Sequence, residues 1–381
     1  MRRTPHTPLS ITFLLACVLT AASTLLLSIA LWGQSRDGSQ LENQAQRAEA
    51  QGDTNRALDL YAKALAAKPD WTEGWWKYGD LLYQAHRFQE ATQAFGRLTR
   101  LAPDNPLGFA MLGLCEYELA DWNNAALHLN KALNHGGLPP DISRFAAYHF
   151  GLALLRQRNQ NGALLTFKLL FHQDPDYPGL GLALGAAELD LEEPPAPAAP
   201  VFPAAQIAGS AALAVLNGRP ADAERAYRDL VTQFPNRACA HLSFGLFLES
   251  QHRNDEATNE FTAETKVNPT SAVPWFWLAR VAIAQQNPEA ARSYVAHARQ
   301  LDPGDPLSFL IEGRSFMLEH RWEQALVPLR AAEDGAPQSS EVHYALASVY
   351  SALHRGQEAD KERQLFLQAQ SADAPEEDTN R

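Results

Sequence analysis

The histidines of this chain are the first candidates for chemistry, because four of the twelve recur in one setting. Each is followed by arginine, in the segments AHRFQEA, QHRNDEA, EHRWEQA and LHRGQEA; they are His86, His252, His320 and His354. A zinc site needs three or four ligands around one point, whereas the closest two of these histidines are 34 residues apart. We therefore interpret the four as turn residues, where a cationic or hydrogen-bonding side chain complements the C-terminal end of a helix dipole.

Other reactive residue types are present without the spacing that chemistry needs. Cys17, Cys115 and Cys239 show no CxxC pattern, which excludes a disulfide framework, and we interpret Cys115 and Cys239 as small buried hydrophobic residues. The sequence contains no HExxH, no GxSxG, no phosphate-binding loop and no GxGxxG opening a helix after a strand. It therefore predicts no catalytic residue, no cofactor, no metal site, no small-molecule substrate and no enzyme activity.

The charge balance bears on the class of partner. Acidic side chains outnumber basic ones by 44 to 32, which gives a formal net charge of −12. This charge opposes the counterion release that drives nucleic-acid binding. Nucleic acid is therefore not an expected partner.

The N-terminal segment predicts a membrane anchor. Residues 1–10 carry two arginines, and the 22 residues Ile11–Trp32 carry no charge, which is enough to cross about 30 Å of hydrocarbon as a helix. We expect residues 1–10 in the cytoplasm, a transmembrane signal-anchor over residues 11–33, and the rest of the chain on the extracytoplasmic, periplasmic side of the cell membrane. Cleavage would instead give a secreted protein, and the lipobox-like LLAC ending at Cys17 leaves a lipid-anchored form open.

A repeat of 34 residues fills the rest of the chain. Its register puts an alanine at repeat position 20 in nine copies: Ala57, Ala91, Ala125, Ala163, Ala223, Ala257, Ala291, Ala325 and Ala359. Position 8 is always glycine or alanine, and position 24 is bulky, as in the pairs Gly79–Phe95 and Gly151–Phe167. The pattern predicts two antiparallel helices in each copy that approach closely at the small residues, with proline ending the second helix.

These residues resemble the tetratricopeptide-repeat family, whose pattern is W-x2-L-G-x2-Y, then A-x3-F, then P. The copy in residues 72–105 matches best, with Trp75, Tyr78, Gly79, Leu82, Ala91, Phe95 and Pro103. The resemblance implies an all-α fold, a solenoid of about nine helix-turn-helix repeats, which would follow the N-terminal transmembrane helix.

One long interruption divides the predicted solenoid into two lobes. The segment EEPPAPAAPVFP stands where a second helix is expected, so the helix before it has no partner in the register. We predict a first lobe over 35–190, a Pro/Ala-rich linker over 191–203, a second lobe over 204–370 and an acidic disordered tail over 371–381.

The resemblance also implies a binding groove, because repeat positions 2, 5, 9 and 12 of the first helices face the concave wall in this family. These positions include Trp76, Tyr83, Tyr117, Phe145, Tyr148, Phe276, Arg280, Arg314 and Tyr344. Aromatic residues with arginine are typical of protein interfaces, and we expect Arg280 and Arg314 to hold a carboxylate. The sequence leaves open the alternative that these side chains pack between neighbouring first helices.

The expected function is that of a non-enzymatic, membrane-anchored scaffold or assembly factor that binds a peptide or protein segment in the groove. The alternative is an accessory subunit of a membrane enzyme or of a secretion or envelope-biogenesis complex. The lysine and asparagine clamp with which some relatives hold acidic C-termini is absent at the matching positions. RNA binding, which a related 35-residue repeat performs, is disfavoured by the spacing and the charge.

Overall fold

The computed structural model describes residues 39–373, and all the regular secondary structure in this stretch is α-helical. Within it the helices follow one another as α1 (39–50), α2 (Thr54–Ala67), α3 (Thr72–Gln84), α4 (Phe88–Leu101), α5 (Pro106–Glu118), α6 (Trp122–His135), α7 (Pro140–Arg156), α8 (Gln160–Gln173), α9 (Leu180–Glu188), α10 (Phe202–Leu216), α11 (Pro220–Gln233), α12 (Ala240–Ser250), α13 (Asn254–Val267), α14 (Val273–Ala284), α15 (Pro288–Leu301), α16 (Pro306–Leu318), α17 (Trp322–Gly335), α18 (Ser340–Ala352) and α19 (Gly356–Asp373).

The small residues of the first helices lie directly against the bulky residues of the second helices. A Cβ atom added to Gly79 of α3 would lie 2.8 Å from Cε1 of Phe95 in α4, and one added to Gly245 of α12 would lie 2.5 Å from Cε1 of Phe261 in α13. The nine alanines at position 20 are at most 1% exposed. The predicted register of small and bulky residues is thus confirmed, because two helices approach this closely only where one of them has almost no side chain.

Most hairpins turn through one residue in the left-handed backbone conformation. In α3–α4 this residue is His86, and the amide of Arg87 after it donates to the Leu82 carbonyl at 2.9 Å, which satisfies one of the last carbonyls of α3. The other three recurring histidines have the same conformation: with His86 they are His252, His320 and His354, at φ from 56° to 60°. Their predicted place in the turns is confirmed, and histidine is one of the residue types enriched at positive φ.

Helix α9 has no second helix of its own in the 34-residue register, and it packs against α10, which begins the next repeat with α11. A Cβ atom added to Gly185 of α9 would lie 1.9 Å from the carbonyl oxygen of Ala205 in α10, and one added to Gly209 would lie 1.8 Å from the carbonyl oxygen of Gly181. The two backbones are therefore in direct contact, which only glycine at these positions permits. The Pro/Ala-rich segment predicted as a linker over 191–203 connects these two helices, but its last two residues already belong to α10, which begins at Phe202.

The described chain divides into two compact units, one ending at Pro175 and the other beginning at Asp176. The first contains α1 to α8, with a core that includes Tyr61 and Phe95. The second contains α9 to α19, and Phe261 is among its fully buried side chains. The sequence places α9 before the division between lobes, whereas the structure groups it with α10 because the glycines bring the two backbones together.

Several predictions about the chain ends concern residues outside the described range, namely the anchor at 11–33, the alternative at Cys17 and residues 374–381 of the acidic tail. Between residues 39 and 373, no helix combines the length and the apolar character needed to cross a membrane. At the other end, α19 continues to Asp373, so the first residues of the predicted tail are helical.

Two cysteines lie within the described residues, and both are buried as the sequence predicts. Burial raises the pKa of the Cys115 thiol and that of the Cys239 thiol to about 12. Because the thiolate is the reactive form, both side chains behave as packing residues at neutral pH.

Candidate functional site

Three of the predicted groove residues of the first unit, Tyr117, Phe145 and Tyr148, meet at one place, on helices α5 and α7. Phe145 and His149 are one helical turn apart on α7, with ring centroids 4.1 Å apart. Tyr117, near the end of α5, places its ring 5.0 Å from that of His149, and the Tyr148 ring lies 5.7 Å away. We call Tyr117, Phe145, Tyr148 and His149 the aromatic cluster.

Local sequence defines where these two helices begin. The side-chain oxygen of Asn105 accepts a hydrogen bond from the Leu107 amide at 3.0 Å, and Pro106 occupies the first position of α5, where no intrahelical donor is needed. Helix α7 likewise starts at a proline, Pro140. These signals place Tyr117 in the last turn of α5, where it can reach a side chain of α7.

His149 is held as a neutral ring inside the cluster. Its Nδ1 lies 2.8 Å from the Phe145 carbonyl oxygen, and because a carbonyl can only accept, Nδ1 carries the proton. Burial lowers the pKa of His149, which outweighs the opposing effects of this hydrogen bond and of the Glu118 charge. At neutral pH the ring is therefore an uncharged, partly apolar surface with Nε2 as its acceptor nitrogen.

Trp122 and Arg156 extend the aromatic cluster at one side. The Trp122 ring lies 5.1 Å from that of Tyr117, and the guanidinium carbon of Arg156 lies 5.0 Å from the Trp122 centroid, a cation–π distance. The Gln157 side chain donates to the Trp122 carbonyl at 3.0 Å, which holds the start of α6 against the end of α7. Sequence analysis did not single out Trp122, Arg156 or His149, because none of them occupies a groove position of the repeat.

The other two predicted residues of this unit contribute partly to packing. The Trp76 ring lies 5.7 Å from that of Phe95, a fully buried side chain. Tyr83 packs edge-on against Phe88 at 5.4 Å, and burial, with a smaller contribution from the Glu118 charge, raises the pKa of its hydroxyl to about 12. Both rings are half-buried, so they support the wall as well as line it.

The predicted residues of the second unit differ in accessibility. Phe276 is only 5% exposed, because its helix α14 is apolar on nearly every side and is buried accordingly. Arg280 stacks on Trp277 with its guanidinium carbon 4.5 Å from the ring centroid. Arg314 already binds a carboxylate of the chain itself, since its Nη2 lies 3.0 Å from an oxygen of Glu341. Of the two arginines expected to hold a carboxylate of a ligand, Arg314 is therefore already paired with a carboxylate of the same chain.

Tyr344 is the most exposed of the predicted groove residues. It lies in α18 with 59% of its surface accessible, and its ring is 5.8 Å from that of Phe366 in α19. Single exposed aromatic side chains are common on protein surfaces, so this exposure makes Tyr344 accessible to a partner without identifying a site by itself. It thus marks a second accessible aromatic position, in the last hairpin of the chain.

Comparison with known proteins gives one family. Family models of the tetratricopeptide repeat match residues 48–115 and, in the second unit, residues 209–261 and 248–306. The chain matches none of the curated proteins.

The chain is also similar to several solved structures. One is MamA 41-end from Desulfovibrio magneticus RS-1, at 14% identity, covering 45% of this chain and 97% of that one, with a TM-score of 0.40. Another is a tetratricopeptide repeat protein from Parabacteroides merdae ATCC 43184, at 14% identity, covering 74% and 99%, with a TM-score of 0.36. The P58(IPK) TPR domain is 12% identical, covering 84% and 99%, with a TM-score of 0.30.

Proposed function

Since tetratricopeptide repeats make up both matched regions of the chain, we propose that it is a non-enzymatic scaffold or assembly factor whose first helices bind a protein or peptide segment. The observation that carries this proposal is the aromatic cluster on α5 and α7. Its rings come from two first helices that lie side by side in the stack, and Phe145 is 39% exposed. Accessible aromatic side chains held by a rigid support are typical of the centre of a protein interface.

The chemistry of the cluster indicates the kind of segment that binds. Tyr117 and Phe145 offer apolar ring faces, and the neutral His149 adds a surface without a charge to desolvate. The guanidinium of Arg156 lies at the edge, over Trp122. We therefore propose a segment that places an apolar or aromatic side chain over Phe145.

In the second unit, we propose Arg280, Arg314 and Tyr344 as further contacts. An acidic group of the partner can reach Arg314 by exchange with Glu341, which is half exposed and 3.0 Å away. Tyr344 then supplies an accessible ring in the following first helix. Phe276 has no part in this contact because it is buried.

Membrane attachment is the second part of the proposal. The uncharged stretch Ile11–Trp32, with Arg2 and Arg3 before it, supports a single-pass anchor at residues 11–33 that holds the repeats on the periplasmic side. Cell fractionation of the full chain and of a chain lacking residues 1–33 tests it. We expect the first in the membrane fraction and the second in the soluble fraction. Sequencing the mature N-terminus separates a retained anchor from cleavage or from lipidation at Cys17.

The binding proposal is tested by removing rings from the aromatic cluster. The double variant Tyr117→Ala, Phe145→Ala is compared with Leu165→Ala, which removes a 61% exposed leucine from the second helix α8 of the same unit. Both are crosslinked in membranes and purified in detergent. We expect the double variant to lose the partners that the unchanged chain and Leu165→Ala retain, while circular dichroism of all three stays helical.

Two outcomes of this experiment change the conclusion. If the double variant captures the same partners in the same amounts, the aromatic cluster is not the binding site. If a single membrane protein is captured in equal amount with the chain, the accessory-subunit alternative is the better description.

A further inference from the structure

Three side chains capable of binding a metal converge near the C-terminal end of the described chain. Glu333 lies in α17, His343 in α18 and Glu362 in α19, and one ligand atom from each lies within 4.8 Å of the other two. In residues 39–373 this is the one set of three such side chains with that spacing. His343 and Glu362 are almost completely buried, at 2% and 3% exposure.

The hydrogen bonds of His343 define which of its nitrogens faces the Glu362 carboxylate. Its Nε2 lies 3.0 Å from the Pro337 carbonyl oxygen, and since a carbonyl only accepts, Nε2 carries a proton. Its Nδ1 lies 2.8 Å from Oε2 of Glu362. A deprotonated Nδ1 would point a lone pair at a carboxylate oxygen, so a cation must lie between them, either a proton or a metal ion. A ligand histidine that donates its other N–H to a backbone carbonyl is common in metal sites.

Glu333 adds a second carboxylate beside the buried pair of His343 and Glu362. The guanidinium of Arg330 donates to the hydroxyl of Tyr350 from two nitrogens, at 3.0 and 3.2 Å. Buried charge without compensation is costly, and a divalent cation would balance both carboxylates.

We propose that Glu333, His343 and Glu362 bind a divalent transition-metal ion of the zinc class. One imidazole nitrogen and two carboxylate oxygens suit zinc, which often takes three protein ligands and leaves a fourth position open. Ligand atoms around a tetrahedral zinc ion lie about 3.4 Å apart, so Nδ1 and Oε2, which are 2.8 Å apart, must separate by about 0.6 Å when the ion enters. Glu333 is half-buried, which leaves its side of the set reachable from solvent.

The chain contains its own control for this site. His241 has the same two contacts, with Nδ1 2.6 Å from Oε2 of Glu260 and Nε2 3.2 Å from the Pro235 carbonyl oxygen. His241, Glu260 and Pro235 each lie 102 residues, three repeat lengths, before their counterparts. The residue 102 positions before Glu333 is Val231. The earlier repeat thus keeps the histidine and one carboxylate but lacks the third ligand.

The test compares the full chain, purified in detergent without a histidine tag and freed of metal by a chelator, with Glu333→Val and with His241→Gln. Calorimetry with zinc chloride measures affinity and stoichiometry, and Co²⁺ absorbance in the visible range reports coordination by nitrogen and oxygen. We expect one ion per chain for the unchanged protein and for His241→Gln, and at least tenfold weaker binding for Glu333→Val. Glu333→Gln, which keeps the size of the side chain, gives the same loss if the valine variant folds poorly.

Three results would overturn the proposal. These are no saturable zinc binding by the unchanged chain, equal affinity in the Glu333 variants, and loss of binding in His241→Gln alone. Thermal unfolding provides an independent measurement, since zinc should raise the melting temperature of the unchanged chain and not that of the Glu333 variants.

Discussion

The substitution Gly185→Ala tests the close contact between α9 and α10. The added Cβ would lie 1.9 Å from the Ala205 carbonyl oxygen, whereas carbon and carbonyl oxygen in contact are about 3.3 Å apart. The obstacle is backbone and not the end of a flexible side chain, so the helices must separate by roughly 1.4 Å at this point. The change thus acts on the packing of two whole helices.

Two opposing effects determine how much stability Gly185→Ala loses. Alanine stabilises a helix interior relative to glycine by about 1 kcal/mol. Overpacking costs about 1–3 kcal/mol, and we expect the upper end here because neither helix can relax by rotating a side chain. The net prediction is a loss of about 2 kcal/mol in the free energy of unfolding of the second unit.

Gly96→Ala is the matched control, because Gly96 lies inside α4 and a Cβ there would meet nothing within 4 Å. We expect this variant to be more stable by about 0.5–1 kcal/mol. Urea unfolding followed by circular dichroism measures both changes, and hydrogen exchange of the amides of α10 and α4 locates them. A gain of stability in Gly185→Ala similar to that in Gly96→Ala would refute the contact.

Further predictions concern protonation, packing and thiol reactivity. The hydrogen bond to Glu260 raises the pKa of His241, so its contribution to stability is complete below about pH 6.5 and is lost as pH rises through the folded pKa. Burial lowers the pKa of His149, so stability falls as pH drops below about 6.5. Proton NMR titration of the two histidines gives the direction of each pKa shift, and urea unfolding at each pH gives the direction of each change in stability. Phe261→Ala should cost about 3–5 kcal/mol in urea unfolding, because that ring is fully buried. Cys115 should react with a thiol reagent only on unfolding, since its pKa is raised to about 12 by burial; fast labelling of the folded chain would contradict this.

The hairpin geometry could be predicted from sequence because it depends on residues at constant separation. Gly79 and Phe95 are 16 residues apart, as are Gly245 and Phe261, and both pairs are in contact. The pairing of α9 with α10 could not be predicted in this way. It depends on Gly185 and Gly209, which bring two successive first helices together although the register does not fix the length of the segment between them.

The candidate site was predictable in part. Repeat position identified Tyr117 and Tyr148, which meet in the aromatic cluster. Position alone carries no information on burial, and Phe276 is buried. His149 joins the cluster because it lies one helical turn after Phe145, a relation that becomes visible only when α7 is drawn as a helix. The set at Glu333 was missed because its members are 10 and 19 residues apart on three helices.

The ion pair between Arg314 and Glu341 has a consequence for any acidic ligand of the second unit. Glu341 must leave Arg314 as the ligand arrives, so one ion pair replaces another. The net binding free energy from this contact is therefore only the difference between the free energies of the two ion pairs. Exposed ion pairs contribute about 0–1 kcal/mol. The exchange therefore selects between ligands by the geometry of their acidic group and adds little to affinity. Salt screens both pairs alike, and binding there should depend weakly on ionic strength. Glu341→Gln would convert the same guanidinium into an unopposed, salt-sensitive anion site.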